Sequence, residues 1–238
     1  ETAKALARSY FGAEENMIRL DMSEYQQIDS MNRIIGSPDG TTTGSLTEKV
    51  RNKPFSLVLI DEIEKAHPNI LMTFLQILDE GRLTDTAGNV AEFTNTIIIA
   101  TSNVGTKSIQ TISEAGKGYE EMQKAAMIDI RNKFAPELLN RFTDIIVFNP
   151  LSKENLREIT KLMLERVKNT AEEKGIEVNF KSELIEELIR RGYSLEWGAR
   201  PLARVIEDSV ESYLAVKILR KEINPGDRVL LGTEVFDI

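Results

Sequence analysis

Residues 57–60, Leu-Val-Leu-Ile, run apolar with no polar alternation, and such a run predicts a strand buried on both faces of a parallel sheet. Asp61 and Glu62 close it. The pattern returns in NTIIIATSN, residues 95–103, a β-branched strand expected to be buried and to end in the polar pair Ser102 and Asn103. MIRLD, residues 17–21, predicts a further short strand. Between these runs the period changes to that of a helix: Ala3, Leu6, Ala7 and Tyr10 share one face and Gly12 can stop them, while Ile70, Thr73, Phe74 and Ile77 predict a helix over 69–80 closed by Gly81. GSPDGTTTG, residues 36–44, consists of turn formers and small polar residues and reads as a loop. IIVFNPLS, residues 145–152, is expected to hold the last apolar strand of this region before Pro150 and an N-cap at Ser152.

Beyond that boundary the chain turns helical. Leu156, Ile159, Met163 and Val167 form one stripe ending near Gly175, and Leu184, Ile185, Leu188 and Ile189 form another ending at Gly192. Pro201 suits the first turn of a third helix carrying Leu202, Val205, Ile206, Tyr213 and Leu214, and NPG at 224–226 turns into a terminal strand around Val229–Leu231. The expectation is an α/β domain over 1–150 and a smaller, mainly helical domain over 151–238. With 238 residues and 41% hydrophobic content, two modest cores are within reach. A net charge of −8 opposes broad electrostatic binding to nucleic acid, and the absence of cysteine removes disulfides and thiolate metal sites. No apolar run of about 18 residues and no signal-like segment point to a membrane partner.

The chemistry concentrates at strand ends. In open α/β sheets ligands bind at the carboxyl edge, and a strand-terminal Asp followed by Glu suits an Mg²⁺-bound nucleotide, one carboxylate for the metal shell and the next to polarise water. Asp61 and Glu62 look like the Walker B element of a P-loop ATPase; acids at a helix start after a core strand are the structural alternative. Asn103 could orient a water or a γ-phosphate oxygen, or simply form a turn. His67 is the single histidine and reads as structural punctuation, and Trp197 reads as packing. No cap precedes Glu1, so the chain reads as starting inside a helix, and no GxxxxGK[ST] occurs in it. If the Asp61 and Glu62 reading holds, the phosphate cradle is expected just upstream of Glu1, and this segment alone is expected to bind ATP poorly and to be inactive as an ATPase.

The series GSPDG, LIDEIEKAHP, FLQILDEGRLTD, TSNVG, FAPELLNRF and GARPLARVI resembles, in order and from Glu1 to about Leu231, the carboxyl-terminal ATPase module of the Clp unfoldases of the AAA+ superfamily, nearest to the ClpC and ClpB type. That resemblance implies a P-loop NTPase-like (AAA+) parallel sheet with helices on both faces, followed by a smaller helical lid with a short sheet. It implies ATP and Mg²⁺ as cofactors, a homo-oligomeric, hexameric ring, a cytoplasmic location, and an unfoldase or disaggregase that threads unfolded or misfolded polypeptides. By the same resemblance Asp61 holds the Mg²⁺ shell, Glu62 activates the attacking water, Asn103 orients that water, Arg141 is the arginine finger that reaches a neighbouring subunit, and Arg200 is the second sensor, reading phosphate from the lid. Two features depart from the family. The pore loop's aromatic is replaced by Gly40, Thr41, Thr42, Thr43 and Gly44, so a weaker, polar grip is expected, and residues 108–122 hold no clear tripeptide for docking a ClpP-type protease. A nucleic-acid loader and a non-catalytic ring scaffold are the alternative readings.

Overall fold

Side chains from Ser56 to Ile60 are buried in unbroken succession, as the apolar run requires, because their strand is flanked on both edges and covered on both faces. In the computed structural model, which describes residues 1–194 and 198–237, β1 (Met17–Asp21), β2 (Ser56–Asp61) and β5 (Thr96–Ala100) form a parallel sheet in the order β1-β2-β5. The two-residue period of a strand sorts β2 between two layers. Leu57 and Leu59 pack with Ala3 and Ala7 of α1 (Thr2–Phe11), whereas Val58 and Ile60 join a larger core with Ile18, Leu20, Phe74 and Ile77. That core also draws on α2 (Met31–Ile35), α3 (Ser45–Asn52), α4 (Pro68–Glu80) and the short α7 (Pro136–Leu139), with α5 (Thr106–Glu114) and α6 (Tyr119–Lys133) preceding it in the chain. A small antiparallel hairpin, β3 (Arg82–Thr84) and β4 (Val90–Glu92), leads into β5.

Two expectations about strands are corrected. Strand β5 is half-buried along its whole length rather than buried, because it is paired on one edge only, with β2, among the described residues. The apolar run at 145–149 forms no strand: Val147 is buried and its carbonyl accepts from the Tyr119 hydroxyl at 3.1 Å, while Ile146 and Phe148 are 70% and 67% exposed. With no ladder partner there, hydrophobicity alone does not make a strand.

The chain divides into two compact units, Glu1–Asn149 and Pro150–Ile238. The second opens with α8 (Lys153–Glu172), whose start carries a complete capping box: the Ser152 hydroxyl accepts from the Asn155 amide and Asn155 Oδ1 accepts from the Ser152 amide. β6 (Glu177–Phe180) pairs in parallel with β7 (Arg228–Leu231), and α9 (Ser182–Gly192), α10 (Arg200–Ile206) and α11 (Ser212–Leu219) close a core of Leu164, Val167, Leu184, Leu188, Leu202 and Leu214. A Cβ on Gly192 would stand 2.7 Å from Leu202 Cα, so only glycine allows α9 and α10 to approach this closely. The expected single helix after Pro201 is broken by a π-turn at Glu207–Glu211, where the Ser209 and Ser212 hydroxyls donate back to the carbonyls of Val205 and Glu207. No helix of the described residues is long and apolar enough to cross a membrane. Trp197 lies outside the described residues.

Candidate functional site

Parallel register brings the ends of three strands to one edge. Asp21 stands opposite Asp61, Ile60 opposite Ala100, and the Thr101 amide extends the ladder by donating to the Ile60 carbonyl at 2.9 Å. Thr101 then ties the acids together. Its hydroxyl donates to Asp61 Oδ1 at 2.5 Å and accepts the Glu62 amide at 3.1 Å. On the other side of the carboxylate, Arg19 Nη2 meets Asp61 Oδ2 at 2.5 Å, with Asp21 Oδ2 3.8 Å away. Asp61 is therefore gripped by a hydroxyl and a cation, an arrangement that fixes its rotamer and balances its charge.

Glu62 sits in the left-handed backbone region, φ 56° and ψ 50°, which for a residue with a Cβ costs on the order of 1 kcal/mol. The strain is held by the Thr101 contacts: its hydroxyl takes the Glu62 amide and its carbonyl accepts the Ile63 amide at 3.0 Å. The turn lifts the Glu62 carboxylate toward Asn103, whose Nδ2 donates to Glu62 Oε1 at 3.5 Å, while Lys65 Nζ meets Oε2 at 2.5 Å. Hydrogen bonding to Glu62, together with the charges of Glu62 and Glu64, raises the Lys65 ammonium above its usual range. Asn103 is anchored in turn by its own amide, which donates to Glu64 Oε1 at 3.1 Å, and Glu64 Oε2 is buried without a hydrogen-bond partner. Asp61, Glu62 and Asn103, expected to converge, do so.

Arg141 and Arg200 stand apart from this group. Arg141 follows α7 and its Nε meets Asp79 Oδ1 in the last turn of α4 at 2.5 Å. Arg200 is the exposed first residue of α10 in the second unit. His67 caps α4, its Nδ1 accepting the Asn69 amide at 3.2 Å, a structural duty.

Loop 36–44 is built, not slack. Gly36 bridges Thr43, the Ser37 amide donates to the Thr42 carbonyl at 2.9 Å, and the Thr86 hydroxyl from the hairpin turn donates to the Ser37 carbonyl at 3.1 Å. The hydroxyls of Ser37 and Thr41, with the Thr41 amide, hold the Asp39 carboxyl down at about 2. A cavity of about 360 Å³ joins this loop to the end of β1, lined by Arg19, Asp21, Arg33, Thr42 and Lys49.

Arg19, Thr101 and Glu64 were missed from the sequence. Arg19 and Thr101 matter only through the parallel register, which no local pattern encodes; Glu64 offered a signal, a third acid within four residues of a buried strand. Asp61 suits Mg²⁺, a hard cation that takes one or two carboxylates plus phosphate and water oxygens rather than an all-protein cage, and the guanidinium against Oδ2 marks where positive charge is favoured.

Comparison with known proteins sharpens this. Residues 1–145 match the family described as AAA domain (Cdc48 subfamily), and residues 151–231 match the C-terminal, D2-small domain of ClpB protein. "Chaperone protein ClpB 2" of Nostoc sp. is 42% identical over 98% of this chain and 27% of its own length. "ATP-dependent Clp protease ATP-binding subunit ClpC" of Staphylococcus saprophyticus is 45% identical over 92% of this chain and 28% of its own. A solved "S. cerevisiae Hsp104-ADP complex" superposes with a TM-score of 0.86 and 35% identity, covering 97% of this chain and 40% of that one. The chain thus spans a little over a quarter of the length of these curated relatives.

Proposed function

This chain belongs to the AAA+ superfamily as a carboxyl-terminal module of the Clp type, and from that premise we propose that it hydrolyses ATP within a hexameric, cytoplasmic ring that unfolds or disaggregates polypeptides. The observation that carries the reading is the meeting of Asp61, Glu62 and Asn103 at the carboxyl edge of β2 and β5, with Glu62 on a strained turn that its neighbours hold in place. ADP in the yeast neighbour supports an adenine nucleotide.

In this reading Asp61 would hold Mg²⁺, which when bound offsets negative charge on the phosphates. Glu62 accepts a proton from the attacking water at the carboxylate oxygen that Asn103 faces, and Asn103 fixes the direction of approach by its Nδ2 donor. Lys65, on the other Glu62 oxygen, holds that end of the carboxylate in place by a charge-assisted contact. Arg141, always charged and planar, would enter the site of a neighbouring subunit and meet charge developing on the γ-phosphoryl oxygens. Arg200, the exposed first residue of α10, would read nucleotide phosphate. Loop 40–44 would touch the polypeptide through threonine hydroxyls and backbone, a modest grip that favours loosely folded substrates.

The test is Glu62→Gln in the intact protein that carries this chain. It keeps the side chain's shape and removes its basicity, so ATP binding by calorimetry and ring assembly should persist while turnover falls by roughly two orders of magnitude or more. Loss of nucleotide binding in that variant contradicts the division of roles between Asp61 and Glu62.

A further inference from the structure

Asp79 occupies a place where an acid is disfavoured. It lies with Glu80 in the last turn of α4, at the negative end of the helix dipole, and that turn holds no basic residue. Each acid is met from outside the helix: Glu80 by Arg82 at 3.3 Å, and Asp79 by Arg141, 62 positions along the chain, at 2.5 Å. The backbones that deliver Asp79 and Arg141 are fixed by packing. Leu138 of α7 is buried in the same core as Phe74 and Ile77 of α4, and the Arg141 amide donates to the Leu138 carbonyl at 3.2 Å. The pair is the polar end of a rigid helix contact.

Which atom is engaged matters. The closest approach of the pair, 2.5 Å, is between Asp79 Oδ1 and Nε, the inner nitrogen of the guanidinium, and not at the end-on edge formed by the two terminal Nη groups. That edge is the one that grips a phosphate bidentately. The Arg141 side chain is 51% exposed and Asp79's is 32% exposed, and an ion pair so open to water adds little to folding stability. Its effect is on conformation: a free arginine samples many rotamers, and a carboxylate on Nε removes most of that freedom while leaving the phosphate-binding edge unspent.

We propose that Asp79 is a positioning residue for Arg141, holding its guanidinium by Nε so that the terminal edge is presented, already ordered, to the nucleotide of a neighbouring subunit. The inference rests on the reading of Arg141 as a group acting across the subunit boundary. It gives Asp79 no contact with nucleotide and no part in assembly.

A double-mutant cycle in the intact protein that carries this chain tests it. Asp79→Ala should lower kcat for ATP about ten-fold, a fraction of the roughly 10³–10⁵-fold that an arginine finger supplies, with KM for ATP, ring size by native mass spectrometry and melting temperature little changed. In an Arg141→Ala background the same substitution should lower the residual rate no further, since a residue acting only through Arg141 has nothing left to act on. Asp79→Asn, which keeps the shape and loses the charge, should fall in the same direction and serves if the alanine variant folds poorly. Wild-type or faster turnover in Asp79→Ala, beside a slow Arg141→Ala, overturns this inference alone. An equal further loss in the Arg141→Ala background also overturns it, by showing a general structural effect. Undiminished turnover in Arg141→Ala itself overturns the underlying assignment of Arg141, and the inference with it.

Discussion

The Thr101 hydroxyl donates to Asp61 Oδ1 while accepting the Glu62 amide, so one oxygen fixes both the Asp61 carboxylate and the strained turn that carries the next acid. Replacing it with an isosteric methyl leaves a partly buried N–H without its acceptor and leaves Asp61 held by Arg19 alone. Thr101→Val should therefore cost about 1–2 kcal/mol by chemical denaturation and reduce ATP turnover about ten-fold or more, whereas Thr101→Ser should keep both. Equal turnover in the Val and Ser variants would show that the hydroxyl does not order the site. At this scale Asp61, Glu62 and Asn103 were legible because strand ends in parallel sheets are where ligand chemistry gathers, and two apolar runs pointed to two such ends. Arg19 and Thr101 were not, since their partners lie 42 and 40 residues away and only the register introduces them.

Elements were readable wherever punctuation accompanied periodicity. Gly12 and Gly81 end α1 and α4 in left-handed conformation, and Ser152 caps α8 as its residue type foretells. The hairpin strands β3 and β4 are three residues each, too short for a period to register, and the apolar stretch at 145–149 misled because strands need partners as well as side chains. Loop 36–44 shows how a segment that reads as mere turn chemistry becomes a defined structure through its own hydroxyls and the Thr86 latch. Its Asp39 carboxyl is lowered from 3.8 to about 2, foremost by the Ser37 and Thr41 hydroxyls, so the ionised form supports the loop. A depressed folded-state value means that this support is complete above the unfolded value and is lost as pH falls through the folded one. The Thr41 amide resonance should thus stay in place down to about pH 3 and shift near pH 2, and in Asp39→Asn that acid-induced shift should be absent. A midpoint near pH 4 would mean that the hydroxyls do not hold the charged form.

At the scale of the whole molecule, the two units hold separate cores, and the residues assigned to nucleotide fall on both: Asp61, Glu62, Asn103 and Arg141 on the first, Arg200 on the second. The similarity to ClpB and ClpC runs over 98% and 92% of the chain and so takes in both units. The central claim is that Glu62 acts in its own subunit while Arg141 acts in the next. Mixing subunits inactivated by Arg141→Ala with subunits inactivated by Glu62→Gln tests it most directly. In mixed rings some boundaries pair an intact Glu62 with an intact Arg141, so ATP turnover should reappear and vary with mixing ratio, highest between the two pure ends. No recovery at any ratio, with mixed rings verified by native mass spectrometry, would contradict the account.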